Sequence, residues 1–216
     1  GLNPRYQIPP FINWVREARI LNAEDKNISE AGKLLCEHFE EDPNAVWEII
    51  FINLTENSEI AKWYFSEVEY GRNYTKQELE IMIQDSYPDL KDRTLKNPLN
   101  SLLNTFKESP LGSDVPVGVP TKIGGKPGII RNAHNDLSLV ATAYSLYRYA
   151  ESAGRYSLTV SEFYNPEQKE GIVRQFGIER DAFEQNLRSL EADSNHVLRS
   201  ELKMGLDNII LREDLT

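Results

Sequence analysis

The residues best suited to chemistry in this 216-residue chain are a glycine-rich turn and three histidines. Ile123-Gly-Gly-Lys-Pro-Gly128 offers free backbone amides beside an ammonium group, the two parts that cradle phosphate. A Walker loop is longer and ends in Gly-Lys-Ser/Thr at a helix start. Here Pro127 and Gly128 follow Lys126, and the flanks read as strands, so a turn between two strands is the better reading. The histidines are His38, His134 and His196. Cys36 and His38 stand two apart on a helical stretch, hence on different faces. The chain has no HExxH, no CxxC and no second cysteine to build a metal site. His134-Asn-Asp136 holds an acid and a base but reads as a loop with a helix cap at Asp136. Glu37, Glu40, Glu41, Asp42 and Glu48 lack calcium-loop spacing and read as a solvated helix end. The expectation is no catalytic residue, no metal ligand and no cofactor in this segment.

Charge is the other source of chemistry, and it is uneven. The net charge of −10 disfavours a general nucleic-acid or anionic-membrane binder. Residues 91–132 run against that trend. They carry Lys91, Arg93, Lys96, Lys107, Lys122, Lys126 and Arg131 against Asp92, Glu108 and Asp114, seven minus three or +4, which leaves −14 for the rest. Lys91, Arg93, Lys96, Lys122, Lys126 and Arg131 are the candidate nucleic-acid contacts. The first three should open a helix and the last three should lie on an adjacent hairpin, all on one surface. The competing reading is a mixed surface that serves protein contacts, and Lys122 and Lys126 on opposite faces would count against the nucleic-acid reading and leave a protein-contact domain.

The elements that would position these residues are legible from periodicity. Pro9 and Pro10 open a helix over 11–21 with Phe11, Trp14, Val15 and Ala18 on one face. Pro43 opens the next long one, over 44–54, apolar nearly all round and therefore buried on most sides. Thr75 and Glu78 form a capping box, with Tyr74 and Leu79 as its hydrophobic staple. A second helix follows Asp92, with Leu95, Leu99, Leu102, Leu103 and Phe106 on its inner face and Pro98 near its start. Short β-like runs follow around Gly124-Gly125, then a helix over 137–150. Leu158-Thr159-Val-Ser-Glu162-Phe163 restates the staple and box. A shift of 84 positions lays Thr75 on Thr159, Leu79 on Phe163, Leu99 on Phe183 and Phe106 on Leu190. Alternation over Val197–Met204 and Ile209–Leu211 predicts a closing hairpin. A helix followed by a hairpin ends a winged helix. The predicted fold is mainly α with small β-hairpins near 115–131 and 197–212. It forms two winged-helix-like modules packed through the helices at 11–21, 44–54 and 137–150. Residues 1–136 would hold a helical module with the first unit and 137–216 the second.

With 40% hydrophobic and 10% aromatic residues the chain is a folded protein. Cys36 alone excludes an internal disulfide and fits a reducing cytoplasm. Apolar runs such as Ile49–Ile52 are too short to cross a bilayer. Gly1 in place of Met reads as a cleavage scar on a piece of a longer protein.

Several phrases carry a family resemblance: Asn3-Pro-Arg-Tyr-Gln-Ile-Pro-Pro-Phe-Ile-Asn-Trp-Val-Arg16, Val46-Trp-Glu-Ile-Ile50, Leu103-Asn-Thr-Phe-Lys107, Leu146-Tyr-Arg-Tyr-Ala-Glu151 and Leu206-Asp-Asn-Ile-Ile-Leu-Arg-Glu-Asp-Leu215. Together they resemble the C-terminal region of large bacterial phosphoadenosine phosphosulfate reductase family proteins. The pattern also resembles stand-alone DUF4007 proteins, which accompany such reductase-like proteins in DNA sulfur-modification and defence gene clusters. The resemblance implies a non-catalytic accessory domain that positions a partner or nucleic acid for an upstream catalytic domain of the same chain. The alternative it leaves is a stand-alone winged-helix DNA-binding protein. The family's catalytic half carries a Ser-Gly-Gly-Lys-Asp-Ser type loop. Ile123-Gly-Gly-Lys-Pro-Gly128 lacks its leading Ser and its Asp-Ser, so no catalytic residue transfers, and Cys36 is not equated with the reductase cysteine.

Overall fold

The computed structural model describes residues 8–25, 27–193, 196–203 and 205–215, with side chains from Pro10 onward. The first helix, α1 (Ile8–Glu17), takes Pro9 and Pro10 into its first turn, where no helical donor is lost. It stops short of the expected residue 21 because Arg19 turns to a positive φ of 58° and Leu21 bridges Ile28. Ser29 caps α2 (Glu30–His38) and Asp42 caps α3 (Pro43–Asn57), each by accepting a backbone N–H. The next helix, α4, covers Glu59–Glu67.

A similar order of elements then occurs in both halves, with one more helix in the second. β1 (Asn73–Thr75), α5 (Lys76–Ser86) and α6 (Asp92–Glu108) lead through a 3₁₀ turn at Pro110–Gly112 to β2 (Val119–Ile123) and β3 (Lys126–Ile130). After α7 (Leu139–Ala153) come β4 (Ser157–Thr159), α8 (Val160–Phe163), α9 (Ile172–Phe176), α10 (Arg180–Ala192), β5 (Leu198–Glu201) and β6 (Asn208–Leu211), with a last 3₁₀ turn at Glu213–Leu215. The sheets are antiparallel, in the orders β1-β3-β2 and β4-β6-β5, so the strand before the helices pairs with the last strand each time. Both capping boxes close, at Thr75/Glu78 and at Thr159/Glu162. Leu79 and Phe163, Leu99 and Phe183, and Phe106 and Leu190 are all buried, as the 84-residue offset requires. The third strand of each sheet, β1 and β4, is missing from the two-hairpin expectation. Three residues are too few to show alternation, and the cap residue ends the strand.

The hairpins fall where expected, with narrower bounds. Val115 and Val117 are fully buried loop residues, and strand pairing begins at Val119. Gly124 and Gly125, at φ 56° and 81°, close the β2–β3 turn with Ile123 opposite Lys126. Two consecutive positive φ values match the right-handed strand twist and explain the glycine pair.

The halves meet around α3, α7 and α9. Phe51 of α3 packs its ring 6.5 Å from Phe106 and 5.6 Å from Phe176. Asn53 donates to Ala18 O and accepts from Tyr144 Oη at 2.6 Å, tying α1 and α7 to α3. Glu48 is not part of a solvated helix end. It is 1% exposed, lies 2.7 Å from His134 Nε2, and accepts from the Ser138 backbone N–H with its other oxygen. The helix cap also moves: Ser138, not Asp136, caps α7. Sequence spacing hides the His134–Glu48 pair because 86 residues separate its members.

Candidate nucleic-acid interface

The side chains of α6 divide cleanly. Leu95, Leu99, Leu102 and Phe106 are buried on one side, at helical spacing. The opposite side carries Arg93, Asn97, Asn100, Ser101 and Asn104, of which all but the half-buried Asn100 are exposed. Ser101 and Thr105 turn their hydroxyls back onto the carbonyls of Asn97 and Ser101. No hydrogen bond among the described residues engages the side-chain amides of Asn97, Asn100 or Asn104. Asparagine is a poor helix residue, costing roughly half a kcal/mol against alanine at each exposed site. Pro98, the seventh residue of α6, also removes a helical donor. This face therefore runs against helix propensity, with no side-chain amide hydrogen bond among the described residues to compensate. Sequence reading by charge missed it because asparagine has none. The legible signal is three amides at 97, 100 and 104, opposite the apolar stripe.

The six expected cations are only partly brought together. Lys91 is the N-cap residue of α6 and makes no side-chain cap bond, and Arg93 follows two residues later; both are exposed. Lys96 follows on the same helix but is already engaged, 2.7 Å from Asp92 and 3.5 Å from Glu80. The bond from Asp92 holds its ammonium above the usual lysine range, against the opposing effect of burial. Such exposed pairs are weak and exchange readily. Lys107 likewise pairs with Glu108.

The hairpin lysines do not share a surface. Lys122 lies opposite Pro127, and Ile123 lies opposite Lys126. Opposed residues share a face and neighbours alternate, so Lys122 and Lys126 leave the ribbon on opposite faces, which corrects the single-surface expectation and favours protein contacts. Lys122 shares its face with the buried Ile129, the side turned toward the helices, α6 included. Lys126 instead joins Thr75, Lys76, Gln77, Glu80 and Pro127 around a small cleft.

Arg131 is not a surface contact at all. It is 1% exposed, and its guanidinium donates to the carbonyls of Phe65 and Val68 at the end of α4 and of Arg174 and Gln175 in α9, and to Tyr70 Oη. It also stacks 4.0 Å from the Tyr70 ring centroid. The negative ends of two helices supply what a carboxylate would otherwise supply. Burial lowers the Arg131 pKa from its usual value, with the neighbouring tyrosines opposing. An arginine ending a β-strand gives no sequence sign of this role, since the carbonyls it collects lie 43 to 66 residues away.

The matching helix of the second unit differs in charge. In α10, Arg180 and Arg188 both pair with Glu184, and Asp181 and Glu191 add further acid. A second cleft, between α3, α4, α7 and α9, is lined by Glu56, Lys62, Arg148, Lys169 and Gln175. Its arginine is clamped by Glu56 at 2.8 Å, and Gln175 is bonded to Ser145 and Thr55. Among the described residues no group of three or more His, Cys, Asp or Glu is placed to hold a metal ion. Among them, too, no helix is long and apolar enough to cross a membrane.

No family model and no curated protein matches the sequence. Solved structures do match in shape. A magnesium ion-bound SspB crystal structure aligns with TM-score 0.64 at 15% identity, over 92% of this chain and 68% of that one. An SspB crystal structure aligns with TM-score 0.58 at 18% identity, over 92% of this chain and 61% of that one. The chain thus spans roughly two thirds of the structures it matches, and the likeness establishes a shared fold.

Proposed function

We propose that this chain is a tandem winged-helix domain that positions a partner or a nucleic-acid substrate for chemistry carried out by another domain, as an accessory part of a phosphoadenosine phosphosulfate reductase-like protein. The succession of helix, strand, helices and hairpin in both halves, with two helices between strand and hairpin in the first and three in the second and the first strand paired to the last, supports the winged-helix reading. The observation that supports the nucleic-acid reading is α6, which presents Lys91, Arg93 and the acid-paired Lys96 beside a polar face, with Lys122 on the helix side of the hairpin and Lys126 and Arg131 outside that surface. The reductase-like setting rests on the sequence phrases, and the cytoplasmic location on Cys36 being the single cysteine. A second reading is a stand-alone winged-helix DNA-binding protein of a DNA sulfur-modification or defence system. It draws support from the SspB likeness, where the same fold makes up roughly two thirds of the matched chains.

Equilibrium binding of the chain to duplex DNA at 50 and 200 mM salt tests the reading. Four phosphate contacts, from Lys91, Arg93, Lys96 and Lys122, give a log–log salt slope of about −3.6 and a loss of affinity of roughly 100-fold across that range. Lys91→Ala with Arg93→Ala should reduce the slope by about two. Absence of measurable binding at 50 mM, or a slope untouched by the double variant, contradicts it. Affinity of the chain alone that persists near 150 mM favours the stand-alone reading; affinity that the chain alone shows at 50 mM but keeps near 150 mM only with the catalytic domain attached favours the accessory one.

A further inference from the structure

We infer that the chain pairs with a second copy of itself through the free edge of β5, joining two three-stranded sheets into one continuous sheet across a twofold axis. The contact belongs to the second unit and does not depend on nucleic acid.

Each sheet leaves two strands at its edges, β1 and β2 in the first and β4 and β5 in the second. β1 and β4 are three residues long and run straight into the capped starts of α5 and α8, which blunts them. β2 carries Pro120, which has no N–H to offer. β5 has neither device. Its open groups follow from the ladder. Leu211 N–H donates to Tyr156 O at 2.9 Å, on the β4 side of β6. Leu211 therefore turns its backbone away from β5, and so does Ile209, two residues before it. Their partners Leu198 and Ser200 turn theirs away from β6, toward the free edge. Among the described residues no backbone bond reaches that edge.

The order of residues along the edge selects the occupant. Leu198-Arg199-Ser200-Glu201-Leu202 reads the same in both directions, except that Arg and Glu exchange. Two such edges running antiparallel, with Ser200 opposite Ser200 of the second copy, set Leu198 opposite Leu202 and Arg199 opposite Glu201. Leu198, Ser200 and Leu202 then exchange about six backbone hydrogen bonds across the axis. Arg199 and Glu201 fall in the narrower pairs, where side chains on facing strands approach most closely. Both stand on the outer face of the sheet, in the rows of Ile210 and Asn208. They already lie 3.0 Å apart within the strand, so the edge carries no net charge to draw a polyanion or an acidic peptide. A neutral edge of alternating sign fits a strand with the same alternation, and the second copy supplies it in register. On the inner face Glu191 accepts from Ser200 Oγ at 2.6 Å, so the two Glu191 carboxylates are drawn toward the axis. Their repulsion and the shortness of the edge keep the pair weak and reversible, with Kd on the order of tens to hundreds of micromolar.

Sedimentation velocity of the full chain, in a concentration series through that range, tests the pairing. The wild type should pass reversibly from one copy to two. Arg199→Glu and Glu201→Arg should each stay single throughout, because each sets like charges opposite one another in both pairs. An equimolar mixture of the two variants should recover the two-copy species, since every Glu then meets an Arg across the axis. Rescue in the mixture separates a lost contact from a lost fold. Ser200→Pro removes a donor that points out of the sheet, and should abolish association while the thermal midpoint holds. A wild type that stays single at every concentration, a mixture of folded variants that fails to associate, or a two-copy species that survives Ser200→Pro overturns the pairing.

Discussion

Replacing Arg131 by methionine is expected to destabilise the fold strongly and to leave the DNA-binding salt slope unchanged. The side chain keeps most of its volume, so little cavity forms. What is lost is five hydrogen bonds, at 2.7 Å to Phe65 O, 3.0 Å to Val68 O, 2.7 Å to Tyr70 Oη, 2.5 Å to Arg174 O and 3.2 Å to Gln175 O. Arg174 O retains Tyr70 Oη as a donor. The carbonyls of Phe65, Val68 and Gln175 lose a charged donor, and each buried acceptor left short costs about 1–3 kcal/mol. Removing a desolvated cation offsets several kcal/mol of that. The net is about 3–5 kcal/mol, and at ~2–4 °C per kcal/mol for a chain of this size the midpoint falls by roughly 6–20 °C. Arg131→Lys should fall between, because one ammonium has three donors for five acceptors. Urea denaturation and thermal melting read the effect. A loss below about 1 kcal/mol would refute the account of Arg131 as the tie between α4, β3 and α9. A salt slope lowered by about one would return it to the DNA surface.

Three further outcomes follow from the geometry. Glu48→Ala strands His134 Nε2 and the Ser138 N–H in a buried site, and should cost about 2–4 kcal/mol in urea denaturation, with Glu48→Gln milder because it can still accept. Thr75→Ala and Thr159→Ala each open a capping box and should each cost about 1 kcal/mol, adding independently because the boxes stand in separate units. Hydrogen bonding from Ser161 lowers the pKa of Asp207, and that from Thr75 lowers the pKa of Glu78. A depressed carboxylate contributes stability above its unfolded pKa, near 4, and loses it as pH falls through the folded value. Stability should therefore drop below about pH 4, and Asp207→Asn should flatten part of that fall; an identical pH profile in the variant would discount the Ser161 contact.

The repeat was readable because its marks are local. Thr75-x-x-Glu78 and Thr159-x-x-Glu162 each need only four consecutive residues, and a helix places Leu95, Leu99, Leu102 and Phe106 together by period alone. The Gly124-Gly125 turn is local for the same reason. What stayed hidden depends on chain returning from afar. Arg131 looks like any hairpin cation until α4 and α9 bring their carbonyl ends to it. Glu48 looks like a member of an acidic run until His134 arrives. The separation of Lys122 from Lys126 needed the register, since the parity of the β2–β3 pairing decides the faces. Asn97, Asn100 and Asn104 were visible all along, yet they stand out only once no hydrogen bond among the described residues is found to engage them.

Hydrogen–deuterium exchange of the chain with and without a saturating duplex tests the central claim most directly, because it asks which unit holds the DNA. Protection is expected in 91–107 and 119–126, with residues 180–192 of α10 unchanged. Protection of α10 with α6 unaffected, or an identical exchange pattern with and without bound duplex, would contradict the account.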